Sequence, residues 1–188
     1  LNSHQMIDVP VWRHAIINYP HPLLKQGLVI LDTPGLNSLS TEPELTINML
    51  PKAQAVLFVL AADTGVTKSD LEVWNNYVQR SAKTGRQNGY VAVLNKIDTL
   101  WDELRSDADI AQSINQQTQE TARVLGIGRN MVFPVSAQKG LVGKIKADHA
   151  LLEKSGLLAL EIKLSDDIIP SKQQLMRDKV IREIGGMI

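Results

Sequence analysis

The sequence predicts an α/β fold: a doubly wound, mostly parallel sheet with helices on both faces. A length of 188 residues is enough for one domain with a substantial core. The main apolar runs are apolar throughout instead of alternating, which is typical of parallel strands covered by helices. Segments with apolar residues at helical spacing lie between these runs, so strands and helices are expected to alternate along the chain.

Five short apolar segments are predicted to form strands. Residues 15–17 are a candidate edge strand, and residues 28–31 are a strand that runs directly into the sequence DTPG. The remaining three runs are residues 56–61, 90–94 and 131–135. Because residues 56–61 read VLFVLA without a polar position, this strand is expected to be buried on both faces.

Two helices are predicted from apolar stripes that have clear capping residues. Residues 67–82 place Leu71, Trp74, Val78 and Ala82 on one face, with Thr67 or Ser69 as the N-cap. Residues 107–125 repeat the same spacing and stop at Gly126.

The last third of the sequence is predicted to be mostly helical. Residues 139–154 and 156–168 are predicted to be helical, and Pro170 is predicted to break the chain. A final amphipathic helix then begins within residues 169–188. It either covers the sheet or begins a helical bundle, so we divide the chain into a domain of residues 1–168 and a helical extension.

The charge and composition exclude several classes of function. Lys and Arg together number 20, as do Asp and Glu, so the sequence offers no basic surface for nucleic acid and no polybasic membrane patch. The absence of cysteine excludes disulfides and thiolate metal sites and fits a reducing, cytoplasmic location. No apolar run approaches the roughly 20 residues that cross a bilayer.

Polar sequences follow three of the predicted strands, at the ends where parallel α/β sheets bind ligands. The first is DTPG, residues 32–35. Asp32 can hold Mg²⁺ through a water molecule, and the backbone N–H of Gly35 can approach a phosphate closely. Taken alone, the same four residues are also typical of a turn that ends a strand.

The second polar sequence is NKID, residues 95–98. A carboxylate at Asp98 can accept hydrogen bonds from N1–H and the exocyclic amine of guanine, a pair of donors that adenine lacks. The amide of Asn95 can bridge neighbouring loops and the base edge, while the stem of Lys96 lies along the base plane. An ordinary polar loop is the alternative.

The third is SAQKG, residues 136–140. A backbone N–H near Ala137 can donate to O6 of guanine. Alternatively, Ser136 is simply the N-cap of the following helix. The order of the three sequences, each after a buried strand, favours a shared guanine-nucleotide site.

The strings LDTPGLNS, VLNKID and PVSAQKG resemble the GTPase domain of the dynamin-like family, most closely its bacterial members. The resemblance extends from about Trp12 to Ile168. It implies a P-loop GTPase fold, binding and hydrolysis of GTP with Mg²⁺, and dimerisation across the nucleotide face. It also implies that residues 169–188 begin a helical stalk, and that any membrane or protein partner binds outside this chain.

The resemblance also implies a role for each motif residue. Asp32 is the water-mediated metal contact, and Gly35 senses the γ-phosphate. The guanine base is read by Asn95, Lys96 and Asp98. The loop that closes over the base is formed by Ser136, Ala137 and Lys139.

One motif of such enzymes is missing. The phosphate loop G-x-x-x-x-G-K-[ST] does not occur in the 188 residues, and the sequence GLVGK at 140–144 is too short to replace it. Leu36 also stands where small GTPases carry the Gln that orients the attacking water. We therefore expect an amino-terminally truncated and inactive fragment of a GTPase. The alternative is a non-enzymatic interaction module that keeps only the fold.

Overall fold

The computed structural model describes residues 15–32, 53–79 and 89–170, together with residues 177 and 181. The chain divides into two compact units, Leu1–Ile30 and Leu31–Ile188. The sheet lies in the second unit. None of the described helices is long and apolar enough to span a membrane.

The first unit contains one short helix, α1 (Pro22–Lys25), whose N-terminus is capped by the imidazole of His21. The predicted edge strand at residues 15–17 is wrong, because the backbone there forms no strand. Ile16 and Ile17 are more than four-fifths exposed, at 81% and 83%. An apolar pair forms a strand only where a neighbouring strand accepts its hydrogen bonds, and no such ladder forms here.

The predicted strand at residues 28–31 is also wrong. Its backbone belongs to no strand, and Val29, Ile30 and Leu31 are 82%, 67% and 56% exposed. The sequence has the composition of a buried strand, but composition alone does not supply a pairing partner.

The sheet has three strands in the described part of the chain: β1 (Ala55–Ala61), β2 (Gly89–Asn95) and β3 (Val132–Pro134). Their order is β1-β2-β3, and both pairings are parallel. Three of the predicted strands and their parallel arrangement are thereby confirmed. Short 3₁₀ helices at Ile97–Leu100 and Arg129–Met131 follow β2 and precede β3.

Helix α2 (Lys68–Val73) begins where the sequence predicts, and its last turn widens into a π-helix at Trp74–Val78. The hydroxyl of Thr67 accepts from the backbone N–H of Asp70 at 3.2 Å, and the Asp70 carboxylate accepts from the backbone N–H of Thr67 at 3.0 Å. This reciprocal capping box satisfies two of the amides that a helix N-terminus leaves without partners.

Helix α3 (Asp107–Leu125) is the longest described helix and confirms the prediction at both ends. The hydroxyl of Ser106 caps its N-terminus by accepting from the backbone N–H of Asp109 at 3.2 Å. Gly126 ends it in the left-handed conformation, with φ 67°.

The helical segment predicted for residues 139–154 is interrupted once, so that two helices form: α4 (Ala137–Lys146) and α5 (His149–Lys154). Ala147 ends α4 in the left-handed region at φ 54°. The carboxylate of Asp148 then caps α5 by accepting from the backbone N–H of Leu151 at 3.0 Å. Neither glycine nor proline marks this break in the sequence.

Helix α6 (Leu157–Lys163) continues through a π-helical turn at Leu164–Ile168. Pro170 is still helical, so the predicted break at this residue is wrong. In the π turn the backbone N–H of Ile169 bonds to the carbonyl of Leu164. A proline ring clashes with the carbonyl four residues before it in a regular α-helix, and at Pro170 that carbonyl belongs to the π turn.

The main core lies on one face of the sheet and is organised around Trp74, which is completely buried. Its ring packs against those of Phe58 and Tyr90, with centroids 5.2 and 5.4 Å away. Its indole N–H donates to the carbonyl of Leu125 at 3.0 Å, satisfying one of the carbonyls exposed at the C-terminus of α3. This bond connects α2 and α3 beneath the sheet.

The opposite face of the sheet is covered unevenly. Val91 and Val93 of β2 are 1% and 4% exposed, whereas Leu57 and Val59 of β1 are 39% and 59% exposed. The prediction that residues 56–61 are buried on both faces is therefore wrong. β1 is an edge strand of the sheet that the described residues form, so its side chains have a neighbouring strand on one side only.

We expect Trp74→Phe to lower the free energy of unfolding by about 2–4 kcal/mol. The change leaves the buried carbonyl of Leu125 without its donor and opens a cavity in the core. The matched control is Trp101→Phe, which removes an indole N–H that is buried without a partner among the described residues. Urea denaturation followed by circular dichroism should show a loss for Trp74→Phe at least about 1 kcal/mol larger than for the control. Equal losses would contradict the role given to this hydrogen bond.

Candidate functional site

The carboxyl ends of the three strands meet at one edge of the sheet. Ala61 of β1 is in register with Asn95 of β2, and Leu94 is in register with Pro134 of β3. The segments that follow β2 and β3 are NKID and SAQKG, so the two predicted base-reading sequences leave the sheet side by side. Parallel strands place their ligand-binding loops in this way.

The side chain of Asn95 joins the two loops directly. Its Oδ1 accepts from the backbone N–H of Lys96 at 2.8 Å and from the backbone N–H of Ala137 at 3.0 Å. Its own carbonyl accepts from the backbone N–H of Ala62 at 2.8 Å, which extends the connection to β1. One residue thus fixes the relative position of all three strand ends.

Backbone hydrogen bonds continue this connection just beyond the ladder. The backbone N–H of Val135 donates to the carbonyl of Leu94 at 2.9 Å, and the N–H of Ile97 donates to the carbonyl of Val135 at 3.3 Å. Because Ile97 and Val135 are both buried, each loop begins in the protein interior.

Lys96 adopts the left-handed conformation, with φ 65°, and turns the chain into the 3₁₀ helix that carries Asp98. A non-glycine residue in this region costs on the order of 1 kcal/mol, so the surrounding contacts must hold the turn. The hydroxyl of Thr99 supplies one such contact by donating to the carbonyl of Lys96 at 2.8 Å. The Lys96 side chain is exposed.

Asp98 is partly buried, and its carboxylate takes part in no hydrogen bond or ion pair with the described residues. Both carboxylate oxygens are therefore available to an external donor pair. This is the arrangement that reading the N1–H and amine of a guanine would require.

Ser136 is completely buried and is the N-cap of α4, as one of the two interpretations of SAQKG predicted. Its hydroxyl accepts from the backbone N–H of Lys139 at 3.2 Å, and its carbonyl accepts from the N–H of Gly140 at 2.9 Å. Lys139 itself is partly buried. Capping and base reading are compatible, because the cap fixes the backbone that would present its amides to the base.

The first turn of α4 contains a donor that the sequence pattern did not identify. The N–H groups of Ala137, Lys139 and Gly140 are bonded to Asn95 and Ser136. That of Gln138 has no acceptor among the described residues. Counting the amides of a predicted helix N-terminus against its possible caps would have singled it out.

The DTPG sequence falls mostly outside the described residues, and Gly35 with it. Asp32 is described: it is exposed, belongs to no strand, and has no bond to the described residues around Asn95. The described residues hold no group of three or more His, Cys, Asp or Glu side chains suited to binding a metal. The roles given to Asp32 and Gly35 stay predictions.

The sequence GLVGK at 140–144 lies within helix α4. Lys144 forms an ion pair with Glu161 of α6. A phosphate loop needs free backbone amides that converge on the ligand, and a helix interior uses its amides internally. The structure agrees with the sequence reading that this segment does not replace the phosphate loop.

Comparison with known proteins agrees with this arrangement. The sequence profile described as the Dynamin family matches residues 3–97. The chain belongs to the dynamin family. GTPases of this family hydrolyse GTP on an α/β G domain, and the parallel sheet with its helices is consistent with that fold.

Curated relatives of this dynamin-family chain come from bacteria and plants. It is 27% identical over 173 residues to an uncharacterized protein in the xynA 3' region of Caldicellulosiruptor sp., covering 92% of the chain and 40% of that protein. It is 27% identical over 159 residues to a bacterial dynamin-like protein of Nostoc punctiforme, covering 76% and 22%. It is 32% identical over 127 residues to a "Probable transmembrane GTPase FZO-like, chloroplastic" of Arabidopsis thaliana, covering 67% and 13%. The chain thus spans less than half the length of these relatives.

We expect Asn95→Ala to weaken protection of the Ala137 amide against hydrogen exchange by about threefold to tenfold. The change removes the acceptor of that amide, and a net hydrogen bond contributes on the order of 1 kcal/mol. The Lys139 amide, which Ser136 caps, should keep its protection. Asn115→Ala, at an exposed position of α3, is the control and should alter neither amide. Equal loss of protection at both amides would mean that the helix had loosened as a whole.

Proposed function

We propose that this chain provides the guanine-reading part of a GTPase that binds and hydrolyses GTP with Mg²⁺. The observation that carries the proposal is the hydrogen bond from Ala137 to the side chain of Asn95, which brings NKID and SAQKG together at the strand ends. If NKID were an ordinary polar loop and SAQKG only a helix cap, their backbone amides would have no reason to share Oδ1 of Asn95 as acceptor.

The geometry supports a specific division of the base edge. The carboxylate of Asp98, which has no partner among the described residues, accepts from N1–H and the 2-amino group of guanine. The O6 atom accepts from the first turn of α4, where the N–H of Gln138 has no acceptor in the described part of the chain and that of Ala137 is bonded to Asn95. Adenine offers a donor at position 6 and lacks both N1–H and the 2-amino group, so it mismatches every one of these contacts. The stem of Lys96 is suited to lie along the base plane.

The metal assignment rests on the chemistry of the remaining residues. Mg²⁺ in nucleotide sites takes one or two carboxylates together with phosphate oxygens and water. A single exposed carboxylate at Asp32 fits a water-mediated contact of this kind, with Gly35 beside the γ-phosphate. When bound, the metal would neutralise the charge that develops on the phosphates. A hydrophobic Leu36 cannot orient water, so that task falls to a group of the full-length protein or of a partner subunit.

We further propose that residues 1–168 are part of the GTPase domain and that residues 169–188 lead into a helical stalk. The exposed edge of β1, with Leu57 and Val59 uncovered, favours self-association through that edge or through the nucleotide face. The full-length protein is then cytoplasmic, and it can act peripherally at a membrane through regions outside this chain.

A non-enzymatic interaction module is the competing function. The observation that favours it is the lack of G-x-x-x-x-G-K-[ST] in these 188 residues. The full-length sequence discriminates between the two functions, because a phosphate loop there supports the enzyme and its absence supports the module.

In the full-length protein, we expect Mg²⁺-dependent hydrolysis of GTP with strong discrimination against ATP. Asp98→Asn should shift the preference from GTP toward XTP, because the amide donates to the 2-oxo group of xanthine while still accepting from N1–H. Losing the charged hydrogen-bond acceptor for guanine should weaken the binding of GTP by roughly 10-fold to 100-fold. Asp102→Asn, four residues away, exposed and bonded to the N–H of Leu104, is the control. A GTP-to-XTP ratio unchanged by Asp98→Asn would show that Asp98 does not read the base.

For the isolated 188-residue chain, we expect no GTPase activity and a dissociation constant for GDP well above micromolar. Base reading supplies about 1–3 kcal/mol of net hydrogen bonding, whereas micromolar binding requires roughly 8 kcal/mol. Calorimetry tests this once circular dichroism has shown the chain to be folded. A micromolar or tighter constant would mean that a phosphate site exists within these residues.

A further inference from the structure

A short segment at residues 154–156, between helices α5 and α6, lies directly behind the SAQKG loop. The carbonyl of Ser155 accepts from the backbone N–H of Ser136 at 2.8 Å. Both serines are completely buried. The residue that caps α4 is therefore itself fixed by a residue that no sequence motif includes.

Gly156 makes the second contact of this segment. It adopts the left-handed conformation, with φ 70°, and a Cβ added at this position would lie 2.2 Å from the carbonyl oxygen of Pro134. Pro134 is the last residue of β3. Only glycine allows the backbone of the segment to approach the end of the strand so closely.

Lys154 makes a third contact, toward the other loop. Its Nζ lies 5.0 Å from the ring centroid of Trp101, three residues after Asp98, and forms an ion pair with Asp107 at 3.2 Å. Both partners of the ion pair are largely exposed, so the pair itself contributes little. The contact of Lys154 with Trp101 matters for position instead of stability. It means that residues 154–156 touch the chain near both base-reading loops.

We infer that residues 154–156 position the base-reading loops, and that Ser155 and Gly156 in particular fix the donor to position 6 of guanine. This inference rests on the proposed function. Neither residue belongs to the base-reading edge. They act through Ser136 and Pro134, which set the direction of the first turn of α4 and hence of the N–H groups of Ala137 and Gln138.

Gly156→Ala in the full-length protein tests the inference. The added methyl group cannot fit against the carbonyl of Pro134, so the segment must shift and draw the carbonyl of Ser155 away from Ser136. The matched control is Gly126→Ala at the end of α3. Gly126 has nearly the same φ, 67°, but an added Cβ there meets nothing within 4 Å. The two variants share the conformational cost and differ in the contact.

The measurement is the affinity for three diphosphates with Mg²⁺: GDP, 6-thio-GDP and IDP. Replacing O6 by sulfur weakens the acceptor at position 6, whereas IDP lacks only the 2-amino group that faces Asp98. We expect Gly156→Ala to bind GDP about threefold to tenfold more weakly, the range of one lost hydrogen bond. Its preference for GDP over 6-thio-GDP should fall toward one, while its preference for GDP over IDP stays at the wild-type value. Gly126→Ala should keep both preferences.

If the segment had a merely structural role, Gly156→Ala would lower the affinity for all three nucleotides by the same factor. That result would overturn the inference. If Gly156→Ala does not fold, Ser155→Ala decides. It keeps the carbonyl that accepts from Ser136 but removes the hydroxyl that accepts from the backbone N–H of Leu157 at 3.3 Å and donates to the carbonyl of Leu152. Those two bonds hold the backbone of the segment, and with it the carbonyl of Ser155, so their loss should loosen the contact with Ser136. An unchanged preference for GDP over 6-thio-GDP in that variant would equally overturn the inference. Failure of the proposed function looks different, because the wild-type protein would then show no preference for GDP over ADP.

Discussion

The structure of the candidate site depends on one side-chain oxygen. The paired strands β2 and β3 end at Leu94 and Pro134, and two further backbone hydrogen bonds join the chains as far as Ile97 and Val135. The amides of Lys96 and Ala137 take no part in these bonds, and an N–H left without any partner costs about 1–3 kcal/mol where water cannot replace it. Oδ1 of Asn95 accepts from both amides. This one side chain therefore joins the two loops beyond their last backbone hydrogen bond.

The two sides of this junction differ in how fully their polar groups are used. On the interior side, the contacts of Ile97, Val135 and Ser136 are satisfied within the protein. On the side that faces outward, the carboxylate of Asp98 and the N–H of Gln138 have no partner among the described residues. A site that recognises a ligand by hydrogen bonds needs this contrast, because unpartnered groups discriminate only when the backbone beneath them does not move. Lys96 adopts the left-handed conformation at this junction, so the fold tolerates a local strain there.

The elements that sequence reasoning located correctly are those whose signals are local. The strands β1, β2 and β3 are apolar runs, and α3 has a serine cap at one end and a glycine at the other. The errors are of a different kind. Residues 28–31 have a strand composition, but a strand also needs a neighbour. The break at Ala147 comes from a left-handed alanine and an aspartate cap, and such a turn leaves no glycine or proline in the sequence. Pro170 is still helical, and a π turn comes directly before it.

The same distinction applies to the site. The neighbourhood of Asn95 and Ala137 was predictable, because both follow buried parallel strands and such strand ends converge. The N–H of Gln138, which has no acceptor among the described residues, was predictable as a candidate because a helix N-terminus leaves amides without partners. Which acceptors the neighbouring amides find is what the structure adds. The support from Ser155 and Gly156 was not predictable. It arises because the loop between α5 and α6 contacts the end of β3, and the composition of neither segment predicts that contact.

The sheet that the described residues form has β3 at the edge beside the loop junction and β1 at the opposite edge. Leu57 and Val59 of β1 are exposed, although the residues in register with them, Val91 and Val93, are buried. On this face of the sheet, the side chains of β1 are therefore more exposed than those of β2, as is usual at the edge of a sheet. The junction at Asn95 and Ala137 lies between β2 and β3, on the far side from that edge. A strand added beside β1, from the same protein or from a second copy, would leave the hydrogen bonds of the junction unchanged. The junction between the two loops is thus independent of what pairs with β1.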